Sequence, residues 1–529
     1  MGGTTQRTMA HAAVVVMLMT LCSRALGFVR EQVIASHFGA TGMTDAYLAA
    51  VSVPQIISAL LGGAIASAFV PVYLRYLAQD EEQQAQYVAV ATSCLLGLSL
   101  LLATAVSFIA APAIVCRLVP SFAPDKMRMT TTLMRIMLPC GPLAGLSTFV
   151  TALLNARRHF GWPALSGVVL NLGVIAATLA LGATQGVVGL AWATLLGSGL
   201  QFYFLHWLLR RYSVGINLSF SWPGRPKAAD VFANAHGSAH SVARCLVHSG
   251  LRRVIILATP VMLGSLLGEL NGLVTRGIAS GLPPGSISAL SYSTQLAQLP
   301  IGLLVTPLCT VIYPTLAEYA GRGDRAGLAD ATGAGLRLLS MLLAPAAAAT
   351  LILRVPMVQL AFERGSFDHG ATLQTAVALG YYALGLPGVA SIQFLTRAFH
   401  SLQDAVTALW VSIAAAPCNI CLSWALVRSL GHGGLALANS LTMLGCMLAL
   451  VLLLQKKTGA YLVLAPTLPR VCIAAALTGL LAVLTYPSLA SLGLLISLCG
   501  TLLVCGATYI GLLLVLRVEE TSWLLHRYL

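Results

Sequence analysis

The sequence predicts an all-α membrane protein that crosses the bilayer fourteen times. Three observations carry this: very little charge, a succession of apolar runs of bilayer length, and a lopsided placement of Lys and Arg. Of 529 residues, 58% are hydrophobic and 9% charged, and the mean hydropathy is +0.86. Soluble domains carry about 25% charged residues. So little charge cannot cover a globule of this size with polar surface, which excludes a soluble enzyme, a disordered chain and a coiled coil.

A helix needs about 20 apolar residues to cross the hydrocarbon core. The first run, near residues 11–36, opens like a secretory signal, with Arg7 ahead of Ala10 to Leu21. It continues past Arg24 and Arg30 to Phe38 without a small-residue cleavage site, so it reads as an uncleaved span. Spans two to six follow near 45–74, 87–114, 129–154, 163–183 and 187–209. A basic stretch from about 210 to 250 comes next and is expected to lie along the cytoplasmic surface. Spans seven to twelve lie near 252–280, 287–317, 335–353, 373–397, 405–427 and 433–454, and the last two near 469–487 and 491–516.

An even count puts both termini on one side. If that side is cytoplasmic, the inside segments collect 20 Lys/Arg and the outside segments six. This positive-inside bias fixes the orientation and explains most of the net charge of +14 without nucleic acid. The twelve Cys lie almost entirely in apolar runs, where they act as small hydrophobes. Cys418 and Cys421 have CxxC spacing but no second pair or nearby His, so neither metal nor redox use is expected.

The two halves resemble each other at a separation of about 244 residues. Ile34-Ala35-Ser36 matches Ile278-Ala279-Ser280, and Phe69 to Leu74 matches Ile312 to Leu316. Asn171 followed by Gly189-Leu190-Ala191 matches Asn419 followed by Gly434-Leu435-Ala436. Six spans per repeat give both repeats the same orientation, an architecture that places a transport site near the midplane between the lobes. The expected organisation is an N-lobe over 1–210, a basic cytoplasmic linker over 211–251, and a C-lobe over 252–457. Spans thirteen and fourteen and a cytoplasmic C-terminus fill 458–529.

Arg24, Arg30, Arg135 and Arg276 fall inside spans. A charge at the bilayer centre costs at least ~2.5–3.5 kcal/mol, so it persists when paired, snorkelling or facing a wet cavity. Arg24 and Arg30, with Gly27 between them and Glu31 beside them, suit a phosphate or pyrophosphate, because the guanidinium fork donates two parallel hydrogen bonds and keeps its charge. The competing reading is that Arg30 pairs with Glu31 or Asp45 and ties spans together. Arg135 is expected to snorkel. Glu269, seven residues before Arg276, reads equally as an ion ligand or as its partner. His236 and His240 lack the Glu of a zinc-protease motif, and there is no Walker A sequence.

The stretch Ser23-Arg24-Ala25-Leu26-Gly27-Phe28-Val29-Arg30-Glu31 resembles the MurJ (MviN) family of lipid II flippases, in the multidrug/oligosaccharidyl-lipid/polysaccharide exporter superfamily. The resemblance continues through Thr44-Asp45-Ala46-Tyr47, Ala68 to Val72, Gly281 to Tyr292, Glu363 to Asp368, Leu395 to Phe399 and Gly431 to Ala436. It implies two six-helix lobes around a central cationic cavity, plus two C-terminal helices that form a groove for a polyprenyl tail. It implies movement of undecaprenyl-pyrophosphate-linked disaccharide-pentapeptide from the inner to the outer leaflet of a bacterial cytoplasmic membrane by alternating access. Carried over residue by residue, the headgroup site is Arg24, Arg30, Glu31, Asp45 and Arg276, with Glu269 and Arg397 in support. The implied partners are lipid II, membrane lipids and the cell-wall synthesis machinery; no cofactor and no covalent chemistry are expected.

There are departures. Many relatives carry an Arg pair in span two shortly after a Pro, where this chain reads Pro54-Gln55-Ile56-Ile57-Ser58-Ala59, and an Arg in span eight, where it has Gln295. Two alternatives remain open: a polysaccharide-unit flippase or drug/cation antiporter of the same superfamily, and a membrane glycosyltransferase. The antiporter should show buried carboxylates where this chain has Arg, and the enzyme a long acidic outer loop that is missing here.

Overall fold

The computed structural model describes residues 2–212, 249–462 and 467–518. Among these, every regular element is helical. Lipid imposes this, since backbone N–H and C=O groups in hydrocarbon must be satisfied within their own segment. The central part of the expected linker, with His236, His240 and Cys245, lies outside the described residues, as does the chain beyond 518.

The first half runs α1 (Gly2–Phe38), α2 (Gly42–Ile57), α3 (Ala64–Ala78), α4 (Glu82–Ile109), α5 (Ala111–Leu118), α6 (Pro124–Met137), α7 (Cys140–Ala156), α8 (Gly161–Ala164) and α9 (Ser166–Arg211). The second runs α10 (Ser249–Ala279), α11 (Ser286–Pro300), α12 (Thr306–Gly321), α13 (Arg325–Ile352), α14 (Arg354–Phe362), α15 (His369–Ser401), α16 (Ala405–Leu430), α17 (His432–Thr458), α18 (Thr467–Leu489) and α19 (Leu494–Val515).

Twelve segments among the described residues are long and apolar enough to cross a membrane, two fewer than the fourteen read from sequence. The difference has two places. The run near 11–36 lies in α1, which is not among the twelve. The runs near 163–183 and 187–209 fall in one segment of 51 residues, Gly161–Arg211. An unbroken helix of that length would measure about 76 Å against a core of about 30 Å. The backbone leaves helical geometry inside it at Gly186 (φ 59°, ψ −139°).

The chain divides into two compact units: Met1–Phe38 with Gly42–Leu273, and Gly39–Thr41 with Val274–Leu529. The division falls inside α10. In the first unit α1 lies along α9, α2 packs on α6 and α7, and α7 also meets α9. Its core includes Phe69, with ring centroids 4.8 Å from Phe149 and 5.0 Å from Tyr73. A Cβ on Gly62 would stand 2.5 Å from the Cα of Gly145, so the glycine sets how closely these backbones approach. In the second unit α15 is central, packed by α11, α13, α14 and α17, and the rings of Tyr292, Phe362 and Phe367 cluster beside it. Helices α18 and α19 pair and lie on α13, where Met341, Val471, Ala475, Tyr509 and Leu513 form a core. The buried Tyr509 hydroxyl is satisfied by donating to the Met341 carbonyl at 2.8 Å.

The internal repeat is written into the backbone's irregularities. A π-helical turn at Ser58–Gly63 recurs at Ile301–Val305, 243 residues on at its first residue. Left-handed φ angles at Gly39, Asp80, Arg158 and Gly186 recur at Gly285, Gly323, Gln403 and Gly431, at separations of 243 to 246 residues. The last pair agrees in both angles, Gly431 having φ 56° and ψ −136°. That region of φ/ψ space is essentially open to Gly alone.

Candidate functional site

In the first unit the site begins where α1 meets α9. Ser23, Gly27 and Arg30 sit at i, i+4 and i+7 and therefore share one face of α1. Gly167 and Asn171 present the matching face of α9. A Cβ on Gly167 would lie 2.3 Å from the Ser23 hydroxyl oxygen, so the glycine lets the two helices meet here without displacing that hydroxyl. Asn171, 6% exposed, donates from Nδ2 to the Ser23 carbonyl at 3.0 Å. Its Oδ1 accepts from Arg30 Nη1, also at 3.0 Å.

Arg30 Nη2 donates to Glu31 Oε1 at 2.7 Å, and the two side chains are 28% and 18% exposed. Tyr47 of α2 lies within electrostatic reach of Arg30, and its hydroxyl bonds Thr194 Oγ1 of α9 at 2.8 Å. The guanidinium is thus held at two corners by a carboxylate and an amide, while part of it stays accessible. Such a group can take an anionic oxygen through its remaining N–H donors. Of the two pairings weighed for Arg30, Glu31 is the one formed.

The other sequence-predicted residues fall as follows. Arg24 is exposed on α1, about 9 Å along the axis and about 120° around the helix from Arg30, so the two do not share a face. Asp45 is 2% exposed and pairs with Lys126 Nζ of α6 at 3.6 Å, with Lys126 seated over the Phe122 ring at 3.7 Å. Arg135 lies against the end of α4, donating to the Phe108 carbonyl at 3.4 Å and resting over its ring. Glu269 is half-buried on α10. In the second unit, Arg276 is half-buried near the end of α10, in electrostatic reach of Tyr382 of α15. Arg397 is half-buried on α15, in reach of Cys309 of α12.

Several polar partners escaped the sequence reading. Asn171 stood out only as a repeat marker, although an Asn in an apolar run signals a needed hydrogen bond. Lys126 was counted as a loop charge. Arg157 at the end of α7 donates from Nε to the Tyr73 hydroxyl at 2.6 Å and also pairs with Glu82, tying the ends of α3, α4 and α7. A cleft of about 190 Å³ opens between α13, α18 and α19, lined by small groups including Ala348, Ala349, Gly479, Ala482 and Gly506.

A family model described as lipid II flippase MurJ matches residues 34–505. Among curated proteins, the lipid II flippase MurJ of Burkholderia cenocepacia is 29% identical over 448 residues, covering 84% of this chain and 83% of its own. The probable lipid II flippase MurJ of Buchnera aphidicola is 27% identical, covering 81% and 80%. Among solved structures, an inward closed lipid II flippase MurJ superposes with a TM-score of 0.75 at 21% identity, covering 97% of this chain and all of that one. An inward-facing multidrug transporter of the MATE family gives 0.66 at 14% identity, covering 84% and 98%.

Proposed function

The chain belongs to the lipid II flippase MurJ family, and from that premise we propose how it moves its substrate. The protein is a lipid II flippase and a multi-pass protein of the bacterial inner membrane. Its task is to carry the disaccharide-pentapeptide headgroup, linked through pyrophosphate to an undecaprenyl chain, from the inner to the outer leaflet. The work is transport by alternating access, with no covalent step and no cofactor.

The observation that carries the mechanism is Arg30, a partly exposed guanidinium on α1, oriented by Asn171 and Glu31. It supplies charge and donor geometry for the pyrophosphate. Arg24 on the same helix, and Arg276 in the second unit, are proposed as further headgroup cations. Asp45 acts differently in this reading: held against Lys126, it stabilises the start of α2 and leaves Arg30 to the substrate. The polyprenyl tail stays in lipid alongside α18 and α19, for which the small-residue cleft against α13 gives support. Both termini face the cytoplasm, as the Lys/Arg bias favours, and the product is delivered to cell-wall synthesis enzymes on the other side.

The MATE-like fold does not by itself separate a lipid flippase from a cation exporter. The arginine does, because a cationic drug would meet like charge there. The reading is tested with the full chain in proteoliposomes containing fluorescent lipid II, followed by a membrane-impermeant quencher. Wild type should move lipid II between leaflets, and Arg30→Ala should insert normally yet move it at least ten-fold more slowly. Equal rates for the two would remove Arg30 from the mechanism.

A further inference from the structure

Arg30 reaches the substrate in that reading, but Arg30 does not orient itself. An arginine side chain has four rotatable bonds before its planar group, and holding that plane costs entropy unless something else fixes it. On α1 the only neighbour so placed in sequence is Glu31, which grips one corner, Nη2. The opposite corner, Nη1, is gripped from another helix by Asn171 Oδ1. With the attachment at Nε as a third point, contacts at two corners define the plane, whereas one contact leaves the group free to pivot.

Asn171 is itself fixed. Its Nδ2 is spent on the Ser23 carbonyl two turns back along α1, it is 6% exposed, and the glycine at 167 brings α9 close enough for the reach. The amide is also neutral. An Asp at 171 would still accept from Arg30, but it would lose the donor to the Ser23 carbonyl and, with Glu31 already paired, leave the group net negative against an anionic substrate.

We infer that Asn171 is a positioning residue for the pyrophosphate: it sets the plane of the Arg30 guanidinium without adding a second carboxylate to the one Glu31 supplies. This rests on the proposal that Arg30 binds the substrate, and it adds a requirement that proposal does not contain. A residue that merely ties α9 to α1 should, when changed, affect pyrophosphate and monophosphate alike and whatever stands at position 30. A residue that orients the guanidinium fork should matter for the pyrophosphate and only while residue 30 is Arg.

The test uses the full chain in detergent micelles. Dissociation constants are measured for undecaprenyl pyrophosphate and undecaprenyl monophosphate, together with the thermal midpoint. Asn171→Ser should lose about ten-fold in affinity for the pyrophosphate, one hydrogen bond's worth of placement, with a much smaller change for the monophosphate. Asn171→Asp should lose at least as much, because it adds a carboxylate beside the site of an anionic ligand. In an Arg30→Lys background, which has no fork to orient, Asn171→Ser should cost nothing more. Wild-type pyrophosphate affinity in Asn171→Asp would overturn the inference, as would an undiminished Asn171→Ser loss in the Arg30→Lys background. If Asn171→Ser does not accumulate, the Asp variant alone decides. Wild-type affinity in Arg30→Ala would instead defeat the parent reading, and this inference with it.

Discussion

At the scale of single residues, the chain shows which charges a membrane helix tolerates and on what terms. Arg30 persists because Glu31 and Asn171 offset its burial while leaving it partly accessible. Losing a charge-assisted contact to pyrophosphate should cost about 1.5–3 kcal/mol. Arg30→Ala should therefore weaken lipid II binding by roughly one to two decades, and Arg30→Lys by less. The exchange Arg30→Glu with Glu31→Arg should stay inactive, because the guanidinium moves about 100° around α1 and away from Asn171; lipid II binding and folded yield report on all three. Asp45 and Lys126 make the opposite case, a structural pair. Lys126→Met takes a cation from beside a buried carboxylate, so it should lower the thermal midpoint more than the double variant Asp45→Asn/Lys126→Met does. Sequence alone singled out Arg30, Glu31 and Asp45, because a charge stands out against an apolar background. It offered Glu31 as a partner for Arg30, but it could not supply Asn171, 141 residues from Arg30, or Lys126, 81 from Asp45. Only the fold closes such distances.

At the scale of elements, hydropathy located the runs well, and the break read between the runs near 163–183 and 187–209 coincides with the non-helical backbone at Gly186. That break depends on one glycine in a conformation closed to other residues. Gly186→Ala and Gly431→Ala should each cost about 1–3 kcal/mol from backbone strain alone, since no neighbouring atom lies within 4 Å of either added Cβ. A comparable midpoint loss in both variants would also report their equivalence in the repeat. A second prediction concerns Asp404, just ahead of α16. Its carboxylate caps Thr407 N at 3.2 Å and pairs with Lys457 at the end of α17. Burial pushes its pKa up, but the bonds from Lys457 and Thr407 outweigh burial and leave it below the ordinary 3.8. A depressed pKa stabilises the fold above the unfolded value and loses that stabilisation as pH falls through the folded one. Asp404→Asn, which can still cap, should flatten that acid limb, while Asp404→Ala should also lose about 1 kcal/mol of capping at neutral pH. Thermal midpoints between pH 7 and pH 3 separate the two effects.

At the scale of the whole molecule, composition already decided the class, because so few charges admit no soluble fold. The duplication was faint in sequence, a few short matches near 244 residues, but it is plain in the backbone, where one π-turn and four left-handed residues recur in register. Backbone geometry outlasts side-chain identity because it is set by where chains must bend; Asp80 and Gly323 share a conformation but no chemistry. What the molecule does with two related halves is carry a bulky anionic headgroup past hydrocarbon that would exclude it. The most direct measurement is transfer of lipid II between leaflets by the purified full chain in proteoliposomes, compared with protein-free vesicles and with Arg30→Ala at equal incorporation. The account predicts transfer by the wild-type protein alone, and a rate at least ten-fold lower for the variant. A correctly inserted wild-type protein that moves lipid II no faster than empty vesicles would contradict it.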